Sequence, residues 1–152
     1  MMKNNLHCRR ATIEDVPLMS EIRLAVKENV LSNPARVTRQ MYLDYLDHLG
    51  RGWVCECDGA IIGFSYAAKE DASIWALFVR PECEGLGAGK ALLANAVEWL
   101  FSLGNEKVTL GTSANTRADR FYQRQGWLRG EMKDAVEVYY TLQRPIELLQ
   151  RS

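Results

Sequence analysis

The sequence predicts an α/β (α+β) fold, a mixed sheet of about seven strands with about four helices in the order β-α-α-β-β-β-α-β-α-β-β. Three observations carry this. Asp58-Gly59, flanked by two strand-like runs, is a strong hairpin signal. Ser73 to Val79 is apolar almost throughout, as expected of a strand covered on both faces. From Lys90 to Leu103 the apolar residues Leu92, Leu93, Ala96, Val97 and Leu100 recur at helical spacing.

The remaining elements can be placed in chain order. His7 to Arg10 reads as a first strand, and Thr12-Ile13-Glu14-Asp15 as a capping box opening a helix that runs to about residue 30. Asn33-Pro34 breaks it, and Thr38 caps a second helix whose apolar face is Met41, Tyr42, Tyr45, Leu46 and Leu49. Gly50 and Gly52 close that helical region ahead of strands at Trp53 to Cys57 and Ile61 to Ala67. Lys107 to Leu110 is a strand and Thr116 to Gln125 a short helix. Trp127 to Leu142 is a final strand pair broken near Gly130 to Asp134.

At 152 residues, without repeats or linkers, residues 1–152 read as one domain, which buries ~70% of its unfolded surface. Nineteen basic residues balance nineteen acidic ones, so nothing points to nucleic acid or an anionic membrane. Met1 to Arg10 has no apolar leader and no run is long enough to span a membrane, so a cytoplasmic protein is expected. Cys8, Cys55, Cys57 and Cys83 form no CxxC pair and only His7 and His48 accompany them, so no metal is expected. Cys55 and Cys57 should share one buried face; Cys83 is either structural or a reactive thiol beside a glycine-rich turn.

That turn, Glu84-Gly85-Leu86-Gly87-Ala88-Gly89-Lys90, joins the apolar strand to the helix that begins at Lys90. Three glycines in five residues let backbone approach a ligand, and the helix N-terminus offers unpaired N–H groups for phosphate. A tight turn serving backbone geometry alone is the other reading. A Walker A loop fails at Glu84 and Ala91, and a dinucleotide fingerprint fails at Lys90 or Leu92.

The turn, together with Asn115 to Trp127, resembles the GCN5-related N-acetyltransferase (GNAT) family, whose signature of Gln or Arg, two residues, Gly, one residue, then Gly or Ala falls on Glu84, Gly87 and Gly89. Leu77-Phe78-Val79 with Pro81 just beyond is similar to the family's fourth strand, which splays from its neighbour. Glu84 departs from the pattern, and Lys90 is expected to offset its charge. The resemblance implies an acetyl-CoA-dependent N-acetyltransferase with acetyl-CoA, the acyl donor, on Leu77, Phe78, Val79, Glu84, Gly85, Leu86, Gly87, Ala88, Gly89, Lys90, Asn115 and Tyr122. It implies the Leu77 N–H as oxyanion donor, Val79 holding pantetheine, and Tyr122 as the acid for the leaving thiolate.

By itself Asn115 reads equally as a helix cap, and Phe121-Tyr122 as an aromatic anchor, with Phe121 the packing member by the family motif. Ser73 stands where many relatives place a glutamate base; Glu28, Glu56, Glu70, Asp71 and Glu137 are the nearest alternatives, and none is assigned. Acceptor specificity is expected from Glu28, Asn29, Ser32 and Arg36 on one side and Glu131, Asp134 and Tyr139 on the other. The acceptor partner is a small-molecule amine or a peptide, the latter implying a protein N-terminal or lysine acetyltransferase. A homodimer is compatible with the resemblance, and a non-catalytic acyl-CoA-binding module is the rival reading.

Overall fold

The computed structural model describes residues 5–26 and 38–145. Seven strands form one sheet: β1 (Leu6–Arg10), β2 (Gly50–Cys57), β3 (Ala60–Ala68), β4 (Ser73–Val79), β5 (Lys107–Ser113), β6 (Leu128–Met132) and β7 (Glu137–Gln143). Their spatial order is β1-β2-β3-β4-β5-β7-β6. Every neighbouring pair is antiparallel except β4 and β5, which are parallel. Four α-helices are described: α1 (Val16–Ala25), α2 (Arg39–Asp44), α3 (Ala88–Ser102) and α4 (Arg117–Arg124). The expected fold class and element order are therefore what the chain adopts.

Each face of the sheet has its own core. Leu92, Leu93, Ala96 and Leu100 of α3 pack with Val108, Val138 and Tyr140 on one face. Met19 and Ile22 of α1 and Tyr42 of α2 pack on Val54, Phe64 and Tyr66 on the other. Cys55 is buried and Cys57 partly so on the α3 side, as expected from their spacing, and Cys8 faces Cys55 directly across β1 and β2. All four cysteines are free. Among the described residues no helix is long and apolar enough to cross a membrane and no cluster of ligands suits a metal ion.

Three boundaries differ from expectation. Helix α1 ends at Ala25, where Val26 turns extended at ψ 105°; the rest of the expected helix, with Asn33-Pro34, lies outside the described residues. Thr38 does cap α2, accepting from the Met41 N–H at 3.2 Å, but the helix stops at Asp44, and Leu46 and Leu49 belong to a turn. Gly50 and Gly52, read from sequence as helix terminators, are strand residues of β2. The reason is close approach: a Cβ on Gly50 would lie 1.9 Å from the Ala67 carbonyl oxygen, and one on Gly52 2.8 Å from the Tyr66 ring.

The pairing of β3 with β4 contains one irregularity. Tyr66 pairs with Ala76 but Ala67 pairs with Ile74, so Trp75 is an extra residue in β4. Trp75 and Ala76 consequently both join the α1–α2 core, whereas Ile74 and Leu77 face α3.

The packing makes Gly50 irreplaceable in a way its turn-like context hides. Gly50→Ala should destabilise the fold by at least ~1–3 kcal/mol, the usual range for overpacking. Chemical denaturation reads the loss directly; an unchanged midpoint would show that the β2–β3 contact relaxes freely.

Candidate active site

The glycine turn and the tip of β4 meet at a gap in the sheet. β4 and β5 share a single register pair, Ser73 with Thr109, and the strands diverge beyond it. On its other edge β4 is held by β3. There Arg80 donates its N–H to the Ile62 carbonyl at 2.8 Å, and because bonded pairs alternate in an antiparallel ladder, Phe78 opposite Phe64 is the next bonded position. Leu77 and Val79, opposite Ser65 and Gly63, therefore direct their N–H and C=O groups away from β3, into the gap.

That gap is a cleft of 630 Å³, lined by Leu77, Phe78 and Val79 on one wall and by α4 on the other. Glu84, Gly85, Gly87, Ala88, Gly89 and Lys90 also line it. Gly85 and Gly87 have φ of 89° and 92°, the left-handed region that favours glycine. Gly87 is the N-terminal cap of α3, so the first N–H groups of a fifteen-residue helix open at the cleft. Leu86 does not line it; its side chain packs on the α3-side core.

A model of the Acetyltransferase (GNAT) family matches residues 18–127, more than half of the chain. The chain belongs to that family. Over 107 residues it is 30% identical to a mycothiol acetyltransferase of Pseudarthrobacter chlorophenolicus, covering 64% of this chain and 33% of that protein. Over 79 residues it is 34% identical to an uncharacterized N-acetyltransferase of Methanocaldococcus jannaschii, covering 49% of this chain and 51% of that one. This chain thus spans a third to a half of the length of these relatives. The fold matches the PaiA N-acetyltransferase of Thermoplasma acidophilum, solved with coenzyme A, at TM-score 0.80 and 16% identity, covering 92% of this chain and 99% of that one. It also matches a Bacillus anthracis protein named as a streptothricin acetyltransferase, solved with acetyl coenzyme A, at TM-score 0.73 and 21% identity, covering 92% and 100%.

Several expected GNAT site residues sit elsewhere or act otherwise. Glu84 is paired by Arg117 of α4, not by Lys90. Asn115 does not line the cleft and is not the helix cap: at φ 63° it donates its N–H to Asp119 Oδ2 at 2.7 Å, while Thr116 caps α4 by accepting from the Asp119 N–H at 3.2 Å. Thr116-Arg117-Ala118-Asp119 has the form of a capping box, a signal that sequence reading passed over. Ser73 donates to Asp71 Oδ1 at 2.6 Å and lies outside the cleft. Glu56 is held by Arg9 and Glu137 by Lys133, which leaves Glu84 as the cleft's carboxylate among the described residues. Glu28, Asn29, Ser32 and Arg36 lie outside the described residues. Asp134 caps its own loop through the Val136 and Glu137 N–H groups, and Tyr139 is exposed. Cys83 lines the cleft, but burial and the Glu82 charge raise its pKa, which keeps it a thiol.

Tyr122 is 6% exposed and reaches the cleft from α4. The division of labour with Phe121 differs from expectation, because both rings line the cleft and Tyr122 does more of the packing, against Trp127 and Tyr140 at centroid distances of 5.8 and 5.7 Å. Burial raises its phenol above the usual tyrosine range, so it stays protonated at neutral pH. It can donate a proton or hydrogen bond.

The helix that carries Tyr122 is anchored by Asp119, which sequence reading missed. Its buried carboxylate accepts from Arg129 Nε and Nη2, both at 3.1 Å, from the Asn115 N–H and from the Tyr140 hydroxyl. The Arg129 guanidinium foremost, with those donors, holds its pKa far below the carboxylate range. A depressed native pKa stabilises above the unfolded value of ~3.9, and that stability is lost as pH falls through the native value. Asp119→Asn should thus cost at least ~2 kcal/mol at pH 7, the scale for hydrogen bonds to a charged group. The wild-type advantage should be flat from pH 7 to 5 and shrink below about pH 4. Urea melts across that range test it; a difference independent of pH would exclude the ionised carboxylate as the cause.

Proposed function

We propose that the chain is an acetyl-CoA-dependent N-acetyltransferase. The observation that carries this is the conjunction, in one cleft, of the unpaired backbone edge at Leu77 and Val79 with the left-handed glycine turn at the start of α3. Pantetheine is a chain of amides, and a free strand edge is what pairs with amides. Pyrophosphate suits the N–H groups at the head of α3. Leu77, Val79, Gly85, Gly87, Ala88, Gly89 and Lys90 would hold acetyl-CoA, with Phe78 completing the wall.

Acetyl-CoA supplies the thioester whose C–S bond breaks as a C–N bond to the neutral amine forms. The Leu77 N–H donates to the carbonyl oxygen as it gains charge, from a fixed position that needs no reorganisation. Tyr122 holds the proton that the departing sulfur takes up, in a buried position where a phenolate is disfavoured. Among the described residues the cleft's one carboxylate, Glu84, is engaged by Arg117, so the proton lost by the amine passes either to water or to a base outside the described residues. The acceptor is an amine, either of a small molecule or of a peptide N-terminus or lysine.

Acetyl-CoA should raise the melting temperature, by the equivalent of ~2.7 kcal/mol at a hundredfold excess over Kd. A shift with NADH or ATP in its place would overturn the reading. With an amine from a panel that releases free CoA thiol, Tyr122→Phe should lower kcat at least ~10-fold with acetyl-CoA affinity kept. Because the Tyr122 pKa is raised, no loss of wild-type kcat should arise from it below about pH 10. Unchanged turnover in Tyr122→Phe would leave that residue a packing residue.

A further inference from the structure

The chain carries no net charge, yet the outer end of its cleft is strongly basic. Lys90, Arg117, Arg120 and Arg124 line it, against the single carboxylate of Glu84 among the described residues. The three arginines are spaced three and four apart on α4 and so form one stripe along the helix. Arg117 and Glu84 satisfy each other. The one acidic residue of α4, Asp119, faces the opposite way and is consumed by Arg129 and Tyr140. Lys90, Arg120 and Arg124 thus have no ion-pair partner among the described residues.

Resting on the acetyl-CoA reading, these cations come in addition to the backbone N–H groups that suit a pyrophosphate. Three further cations stand at the exposed mouth, where the nucleotide end of a ligand running outward from Tyr122 would lie. Coenzyme A bears there a 3′-phosphate, a monoester of charge about −1.5 to −2 at pH 7, and arginine is suited to bidentate contact with it. We propose that Arg120 and Arg124, with Lys90, read the 3′-phosphate and make the cleft selective for coenzyme A over dephospho-coenzyme A. They are specificity-determining residues and take no part in the chemical step.

Titration calorimetry at ~0.05 M and ~0.5 M NaCl tests this on the full chain. Wild type should bind coenzyme A at least ~10-fold more tightly than dephospho-coenzyme A at low salt, with the ratio shrinking at high salt. Arg120→Gln/Arg124→Gln, at two exposed positions, should keep its melting temperature and its affinity for dephospho-coenzyme A while the ratio falls to within ~3-fold. Equal binding of the two nucleotides by wild type overturns the proposal and leaves the acetyl-CoA reading intact, as does a ratio that the double substitution does not change. Failure of both nucleotides to bind wild type overturns the acetyl-CoA reading itself, and this proposal with it.

Discussion

The divergence of β4 from β5 is the constraint on which the rest of the structure depends. A parallel pair at the centre of a sheet would ordinarily bond along its length, yet these strands meet at one register position and then separate. The extra residue at Trp75 turns the β4 backbone after its first residues, and β3 holds only the other edge. Backbone donors and acceptors at Leu77 and Val79 are left without strand partners at the floor of a cleft. Unpaired backbone groups in a sheet interior are costly unless solvent or a ligand meets them. The defect in the sheet and the proposed binding site are therefore one feature.

A gap of this kind needs a far wall that does not collapse into it, and α4 is a weak candidate on composition. Its residues Arg117, Asp119, Arg120, Gln123 and Arg124 give it little apolar surface. The helix is held instead by polar anchoring on its inner side. Asp119 joins the loop at Asn115, the cap at Thr116, the hydroxyl of Tyr140 on β7 and the guanidinium of Arg129 on β6. Tyr122 and Phe121 then complete the contact with aromatic surface. A buried carboxylate that saturates its oxygens with charged and neutral donors is among the stronger polar contacts a fold can make. It anchors the helix that carries Tyr122, whose arginines lie on the outer face.

The glutamate that departs from the GNAT signature is accommodated by the same helix. A bare carboxylate beside the proposed phosphate site would repel the ligand, but Arg117 reaches across the cleft mouth from α4 to Glu84. The pair is largely exposed, with side chains 58% and 31% accessible, so its contribution to stability is small. Its effect is local: it removes the negative charge next to the glycine turn and ties α4 to the start of α3.

By itself the sequence determined what is local. Hairpin chemistry at Asp58-Gly59, the apolar run of β4, the periodicity of α3 and the glycine turn were all legible, because each depends on neighbours within a few residues. So were the family and most of the cleft's first wall. Only the tertiary structure decided what depends on distant partners. Gly50 is a strand residue because the Ala67 carbonyl lies against it, and Trp75 is a bulge because consecutive β3 residues, Tyr66 and Ala67, pair with Ala76 and Ile74 on either side of it, which no alternation pattern reveals. Glu84 is neutralised by Arg117, thirty-three residues away, and Asp119 is an anchor because Arg129 and Tyr140 converge on it from β6 and β7. Charges and backbone groups acquire their roles from whatever the fold brings within a few ångströms, and that is set by sheet order and strand divergence rather than by spacing along the chain.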